Sequence, residues 1–256
     1  MRSLSILTVL AVLTLSGCAS GSNPADPYES FNRGVYKFND GLDRTVAKPL
    51  AQGYDKVMPS PAKTMVNNFF SNLDDVVVTA NDLLQFKFKQ AASDASRVLI
   101  NSTFGIFGLI NVASRLEKHN EDFGQTLGYW GLQPGPYLML PILGPSTMRD
   151  GFGRVVDTVP SQSGKIKPVA TRNSLYALNG VKTRAQLLEA EKVMDQTTLD
   201  RYQFIRDAYL QYRLNLVYDG DPPRPKYDDY EDYGDPDMPE VAPQSPPAET
   251  PLTPAQ

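Results

Sequence analysis

The chain reads as an all-α protein from Asp26 to about Tyr218, followed by an acidic, proline-rich tail. Three observations predict this. Apolar residues recur at three- and four-residue spacing in several segments, helix-start signals precede those stripes, and nowhere does a convincing period of two mark a half-buried strand. The chain has 256 residues, 41% of them hydrophobic and 10% aromatic, which is enough material for one large folded domain.

The first segment, "MRSLSILTVLAVLTLSGCAS", has a basic start at Arg2, an apolar stretch from Leu4 to Leu15 and then small residues. This is the layout of a secretory leader, and the apolar part is too short for a bilayer span. "LSGC", Leu15 to Cys18, resembles the lipobox of bacterial lipoproteins, which makes residues 1–17 a signal peptide and Cys18 an acylated first mature residue. Cys18 is the only cysteine, so a disulfide framework is excluded. Ala19 follows it where Asp would favour inner-membrane retention, a pattern of outer-membrane sorting. Several acyl chains, at about 0.8 kcal/mol per buried CH₂, make such an anchor effectively permanent.

A lipidated linker, 18–25, leads to the helical domain, 26–218. Asp26 as N-cap, Pro27 at the first helical position and Glu29 start a helix with Phe31, Val35, Phe38 and Leu42 on one face. Ser60 and Pro61 start a second, where Met65, Phe69 and Leu73 keep helical spacing. Val76, Val77 and Val78 alone would favour a strand, but Ala80, Leu83 and Leu84 continue a helical stripe to Lys87. From Gln90 the chain reads as helix through Leu99 and Ile100, then enters "FGIFGLINVAS", Phe104 to Ser114, apolar but too short to span a membrane. Thr183 and Gln186 form a capping-box pair before "LLEAEKVM", and Thr197 is placed to cap a last helix with Tyr202, Ile205, Tyr209, Tyr212 and Leu216 in period.

The segment "GPYLMLPILGPSTMRDGFGR", Gly135 to Arg154, fits none of these patterns. It is apolar, yet its prolines and glycines break helix and strand alike.

The tail, 219–256, holds ten prolines and ten acidic residues against two basic ones, a net of −8; the chain total of −4 leaves +4 on the rest. Too little of it is apolar to offset its chain entropy, so it reads as disordered. Asp228, Asp229, Glu231 and Asp232 lack the ligand spacing and central glycine of a calcium loop. Nothing in the charge balance calls for a nucleic-acid partner.

Catalytic chemistry finds little support. His119 is the only histidine, and "GPSTM" around Ser146 lacks the second glycine of a nucleophile elbow. No phosphate loop, metal set or cofactor motif is present in the sequence, so no catalytic residue, metal ligand or cofactor is predicted. Short amphipathic pieces on a lipid-anchored chain instead suit a body lying in one leaflet, since half the hydrocarbon thickness needs only about ten helical residues. Tyr129, Trp130 and Tyr137 would suit the boundary with water. The residues alone leave open an ordinary core beside the membrane.

Three stretches narrow this choice: "DPYESFNRGVYKFNDGLD" from Asp26, "INSTFGIFGLINVAS" from Ile100, and "EDFGQTLGYWGLQPGPYLMLPILGPSTMRDGFGRVVD" from Glu121. They resemble the signature segments of the MlaA (VacJ) family of Gram-negative outer-membrane lipoproteins, with Asn111 standing where that family often has Asp. The resemblance implies a compact ring-like helical body embedded in one membrane leaflet, an amphipathic channel, and association with trimeric outer-membrane porins. It implies removal of strayed phospholipid from the outer leaflet and transfer to a periplasmic carrier of the MlaC type, on the periplasmic face of the outer membrane.

In such a channel Tyr137, Leu138, Leu140, Ile142 and Leu143 are expected to line the acyl-chain path. Arg149 and Arg154 are expected to meet the headgroup phosphate. Gly135, Gly144, Gly151 and Gly153 are expected to act as hinges or turns. Two other functions compete: an envelope lipoprotein that organises porins without moving lipid, and a lipid hydrolase using Ser146 and His119.

Overall fold

Polar residues hold the helices of this chain together. The computed structural model describes residues 23–223. The leader, Cys18, the four acidic residues of the calcium candidate and most of the tail lie outside that range. Of the described residues, 23–222 form one compact unit.

Helix α1, Glu29–Leu42, runs without a break into a π turn, Asp43–Ala47, and then α2, Lys48–Val57. Pro49 lacks the N–H that an α-helix needs at that position, and the wider turn comes just before it. The expected cap at Asp26 is not formed. Tyr28 precedes the helix without a side-chain cap, and the Asp26 carboxylate is buried, accepting hydrogen bonds from Asn32 Nδ2 at 2.8 Å and the Tyr202 hydroxyl at 2.5 Å.

Helices α3, Ser60–Leu84, and α4, Phe88–Thr103, make the most extensive helix pair. The valine run is helical, as its surroundings predicted. The buried stripe, however, is Asn72, Asp75, Val78 and Asp82 on α3 against Ala91, Asp94, Arg97 and Asn101 on α4. Each set has the three- and four-residue spacing of one helix face. Arg97 donates to Asp75 at 3.2 Å and to the Leu116 carbonyl at 2.9 Å, while Lys118 reaches Asp75 at 2.6 Å.

The loop after α4 turns its side chains outward. Asn68 and Asn101 hold its backbone at the Leu109 carbonyl and the Ala113 N–H, whereas Phe104, Ile106, Phe107, Ile110 and Val112 are exposed. Ile106 and Phe107 sit in the left-handed backbone region, at φ 52° and 55°. Such a conformation is costly for bulky residues and needs support from the surrounding structure.

Short α5, Phe123–Tyr129, packs on α6, Met148–Val156. Asp122 and Thr147 cap them, accepting from Gln125 N and Asp150 N. Helices α7, Val169–Gln186, and α8, Leu188–Thr197, are separated by Leu187 alone. The capping box is therefore not used, and Thr183 lies inside α7. Thr197 closes α8, while α9, Arg201–Val217, is capped by Asp200, which accepts from Tyr202 N and Gln203 N.

The domain is mostly helical as expected, but the segment from Gly135 to Arg154, which the sequence reads as neither helix nor strand, contains a hairpin and most of α6. Tyr137–Leu140 (β1) and Gly144–Thr147 (β2) form an antiparallel hairpin with Tyr137 opposite Thr147 and Leu140 opposite Gly144. At four residues each, these strands are too short to display a convincing alternation.

Among the described residues, seven hydrophobic side chains are buried against nineteen polar or charged ones, while thirty-five large hydrophobics are exposed. A water-soluble domain has the opposite balance inside, with charged residues almost never fully buried unless paired. No helix among the described residues is long and apolar enough to cross a membrane.

Candidate functional site

The greasy segment from Gly135 to Arg154 forms the hairpin and α6, and its backbone is satisfied by asparagines. Asn32 accepts from Met139 N at 2.8 Å and donates to the Tyr137 carbonyl at 3.0 Å. Two helical turns later, Asn39 accepts from Ile142 N at 2.8 Å and donates to the Leu140 carbonyl at 2.9 Å. An amide side chain has the same donor and acceptor as a peptide unit, so α1 serves β1 as a neighbouring strand would. Arg154 closes the far side, donating to the carbonyls of Leu143 and Pro145, both at 3.2 Å.

Two cavities flank this hairpin. The first, about 410 Å³, lies between α1, the π turn, the hairpin and α7 to α9. Its apolar wall comprises Met139, Pro145, Leu187, Ala190, Met194, Phe204 and Ile205. Its charged belt is dense. Arg184 forks onto Asp43 at 2.6 and 2.8 Å and reaches Glu191 at 2.5 Å, Lys48 meets Glu191 at 2.9 Å, and Arg201 contacts Asp195 and stands 3.8 Å from Asp40. Hydrogen bonds that Arg184 donates to Asp43 and Glu191 push its guanidinium well above its ordinary range, and Glu191 is correspondingly held down, its burial outweighed by bonds from Arg184 and Lys48. Tyr36 lies beside the belt with its hydroxyl pKa raised, chiefly by burial and then by Asp40.

The second cavity, about 450 Å³, is lined by Gly128, Leu132, Gly135, Thr147, Arg149, Leu210, Arg213 and Val217. The two guanidiniums there share a network with Asp122 and Asp150. Arg213 donates to Asp122 at 2.5 Å and to Asp150 at 2.9 Å, Arg149 donates to Asp150 at 3.1 Å, and the Tyr209 hydroxyl donates to Asp150 at 2.9 Å. Burial pulls Asp150 upward, but the two arginines outweigh it and hold the carboxyl below the usual range.

The sequence-predicted lining residues are thus divided among different surroundings. Tyr137 is fully buried, packed edge-on to Tyr202 and Tyr209. Leu138 and Leu140 are half-buried on the opposite strand face, and Ile142 and Leu143 are exposed at the turn. Gly144 borders the first cavity, joined by Met139, while Arg149 borders the second, and Arg154 is occupied with the turn. Gly135 and Gly144 have φ of +67° and +79°, as turns require. Gly151 and Gly153 lie inside α6 rather than in a turn. Gly153 permits close packing on α5, since a Cβ there would stand 2.4 Å from Gly124 N.

The cavity residues outside that segment had only faint signals. Asn32 and Asn39 are seven residues apart, hence on one helix face, but so are many surface pairs. Arg184, Glu191 and Arg201 come together only through the α7–α8–α9 turns.

The hydrolase pair is not assembled. Ser146 is buried and donates to the Thr147 carbonyl at 3.2 Å, while His119 Nδ1 pairs with Asp94 at 2.6 Å in the α3–α4 network. Among the described residues no group of three His, Cys, Asp or Glu side chains is arranged to hold a metal ion.

Comparison with known proteins places this geometry. The family profile described as MlaA lipoprotein matches residues 24–216. The chain is 35% identical to the intermembrane phospholipid transport system lipoprotein MlaA of Escherichia coli (strain K12), over 86% of this chain and 91% of that protein. The Haemophilus influenzae protein of the same name is 33% identical over 86% and 93%, and an uncharacterized protein of Rickettsia felis is 43% identical over 72% and 74%. A chain solved in a study of the structural basis for maintenance of bacterial outer membrane lipid asymmetry aligns with TM-score 0.67 and 31% identity, covering 75% of this chain and 98% of that one. With a family match spanning most of its length and relatives at this identity, the chain belongs to the MlaA lipoprotein family.

Proposed function

We propose that this protein is an outer-membrane lipoprotein, anchored through Cys18 after removal of residues 1–17, that moves phospholipid within the envelope. It lies in one leaflet, takes phospholipid that has strayed into the outer leaflet and passes it to a periplasmic carrier of the MlaC type, in contact with trimeric porins. One observation carries the reading: polar groups are packed inside and hydrophobics outside, around a cavity with an apolar wall and a charged belt. A phospholipid headgroup cannot cross hydrocarbon cheaply, and such a cavity gives head and tails separate surfaces. The relatives named for intermembrane phospholipid transport support phospholipid as the cargo.

The test places a carboxylate on the apolar wall. Phe204→Asp, at a residue 46% exposed, adds charge to the cavity without removing a core side chain. The expected result is phospholipid accumulation in the outer leaflet, read by its susceptibility to externally added phospholipase, with porin co-purification unchanged. A folded variant that accumulates no lipid overturns transport through this cavity, and unchanged porin association would then favour the organising role.

A further inference from the structure

We infer that the first cavity selects zwitterionic, amine-bearing phospholipids over net-anionic ones, an inference that rests on the transport reading above. The belt at this cavity is balanced: Asp40, Asp43, Glu191, Arg184 and Arg201 line it, and Arg44, Lys48 and Asp195 pair with them from behind, four carboxylates against four cations. Signs alternate, and the groups come from α1, the π turn, α2, α8, α9 and the end of α7. A site built for a net anion leaves cationic donors over, whereas this one leaves none.

The belt is not uniformly tight. Arg184 is locked by Asp43 and Glu191 at 2.5 to 2.8 Å, and its side chain is 15% exposed. Asp40 and Arg201 stand 3.8 Å apart, each 25% exposed; when they part, Arg201 keeps its contact with Asp195, and Asp40 keeps only Arg44, at 3.0 Å and 62% exposed. This is the pair that a headgroup can enter with least loss. A phosphate oxygen takes an N–H of Arg201 and an ammonium takes the carboxylate of Asp40, with the Tyr36 hydroxyl beside them. Two opposite charges on the ligand replace one pair in the belt, so no charge is left without a partner in the half-buried site. A headgroup with phosphate but no ammonium leaves Asp40 beside an added negative charge.

Specificity here comes as much from that repulsion as from attraction. The acyl chains continue onto Met139, Leu187, Met194, Phe204 and Ile205, which discriminate nothing about the head.

The test uses the full lipoprotein in vesicles of equimolar phosphatidylethanolamine and phosphatidylglycerol, with a photoreactive phenylalanine analogue at Met194. This wall position lies outside the charged belt. Crosslinked lipid is identified by mass spectrometry. The inference expects phosphatidylethanolamine to exceed phosphatidylglycerol by about fivefold, the size of one partly exposed ion pair. Asp40→Asn is expected to bring the ratio to that of the vesicle, and Asp40→Glu to restore the preference. Crosslinking in proportion to supply overturns the inference and leaves the transport cavity standing, whereas no lipid at Met194 overturns both. A preference that survives Asp40→Asn in a chain of unchanged helicity also overturns the assignment.

Discussion

The interior of this protein and its outer surface use opposite chemistry on the same helices. On α1, Asn32 is fully buried while Phe31 and Phe38, its neighbours in the same helix, are 48% and 58% exposed. On α4, Arg97 and Asn101 are buried while Leu99 is 67% exposed. The interior is held by directional contacts with little tolerance for loss, and the exterior contributes little to folding. This division teaches that packing and surface character are separable properties here, because different residues of each helix carry them.

The largest break in that division is expected at Asp150, which is 3% exposed and bonded to Arg213, Arg149 and Tyr209. Asp150→Ala leaves buried guanidiniums without their counter-charge and should cost about 3–5 kcal/mol, measured by denaturant unfolding in detergent. Acid should act on the same contact. Because the folded carboxyl titrates below its ordinary value, its stabilisation is present above about pH 4 and is lost as pH falls through the folded value.

Next in size is Asn32→Leu, which removes the amide that pairs with β1 and leaves Met139 N and the Tyr137 carbonyl unpaired. A loss of about 1–3 kcal/mol is expected, with exchange of the Met139 amide accelerated.

Asp82 sharpens the comparison from the other side. It is fully buried with neither carboxyl oxygen hydrogen-bonded, and burial, reinforced by Asp94 and Glu121, pushes its carboxyl up to about 7. For a raised carboxyl the sign is opposite to that of Asp150. The protonated folded form is favoured, so stability falls as pH rises from about 4 through 7. Asp82→Asn should flatten that decline, and an unchanged pH profile would show that Asp82 is not its source.

The smallest folding effect is expected outside, at Phe107. Replacing it by Asn, which tolerates the left-handed backbone, should change unfolding free energy by no more than about 0.5 kcal/mol. In a chain with Cys18→Ser the same change should weaken retention on vesicles, since burying one such ring in lipid contributes about 1.5–3 kcal/mol. Equal retention would place Phe107 in water.

Much of the helical layout was legible from local signals. The stripe Tyr202, Ile205 and Tyr209 lies against the hairpin core as its period predicted, and the valine run at 76–78 follows its helical context. The starts at Asp26, Thr183 and Thr197 were misread, each for its own reason. Each is a good capping residue, but burial of Asp26 against Tyr202, continuous helix through Gln186, and the competing Asp200 decided the actual boundaries. The hairpin was missed because its second hydrogen-bonding neighbour is a pair of asparagine side chains seven residues apart on a helix, which no strand pattern contains.

By itself the sequence determined where most of the helices run and that Cys18 stands where a lipobox cysteine would. Those properties depend on neighbours within a few residues, where propensity and spacing act directly. Only the tertiary structure decided which face of each helix is inside, because an apolar stripe has the same period whether it meets a core or lipid. It also decided that Arg184, Glu191, Arg201 and Asp40 share one cavity, since charge pairing between helices depends on how they pack and leaves no periodic trace in the chain.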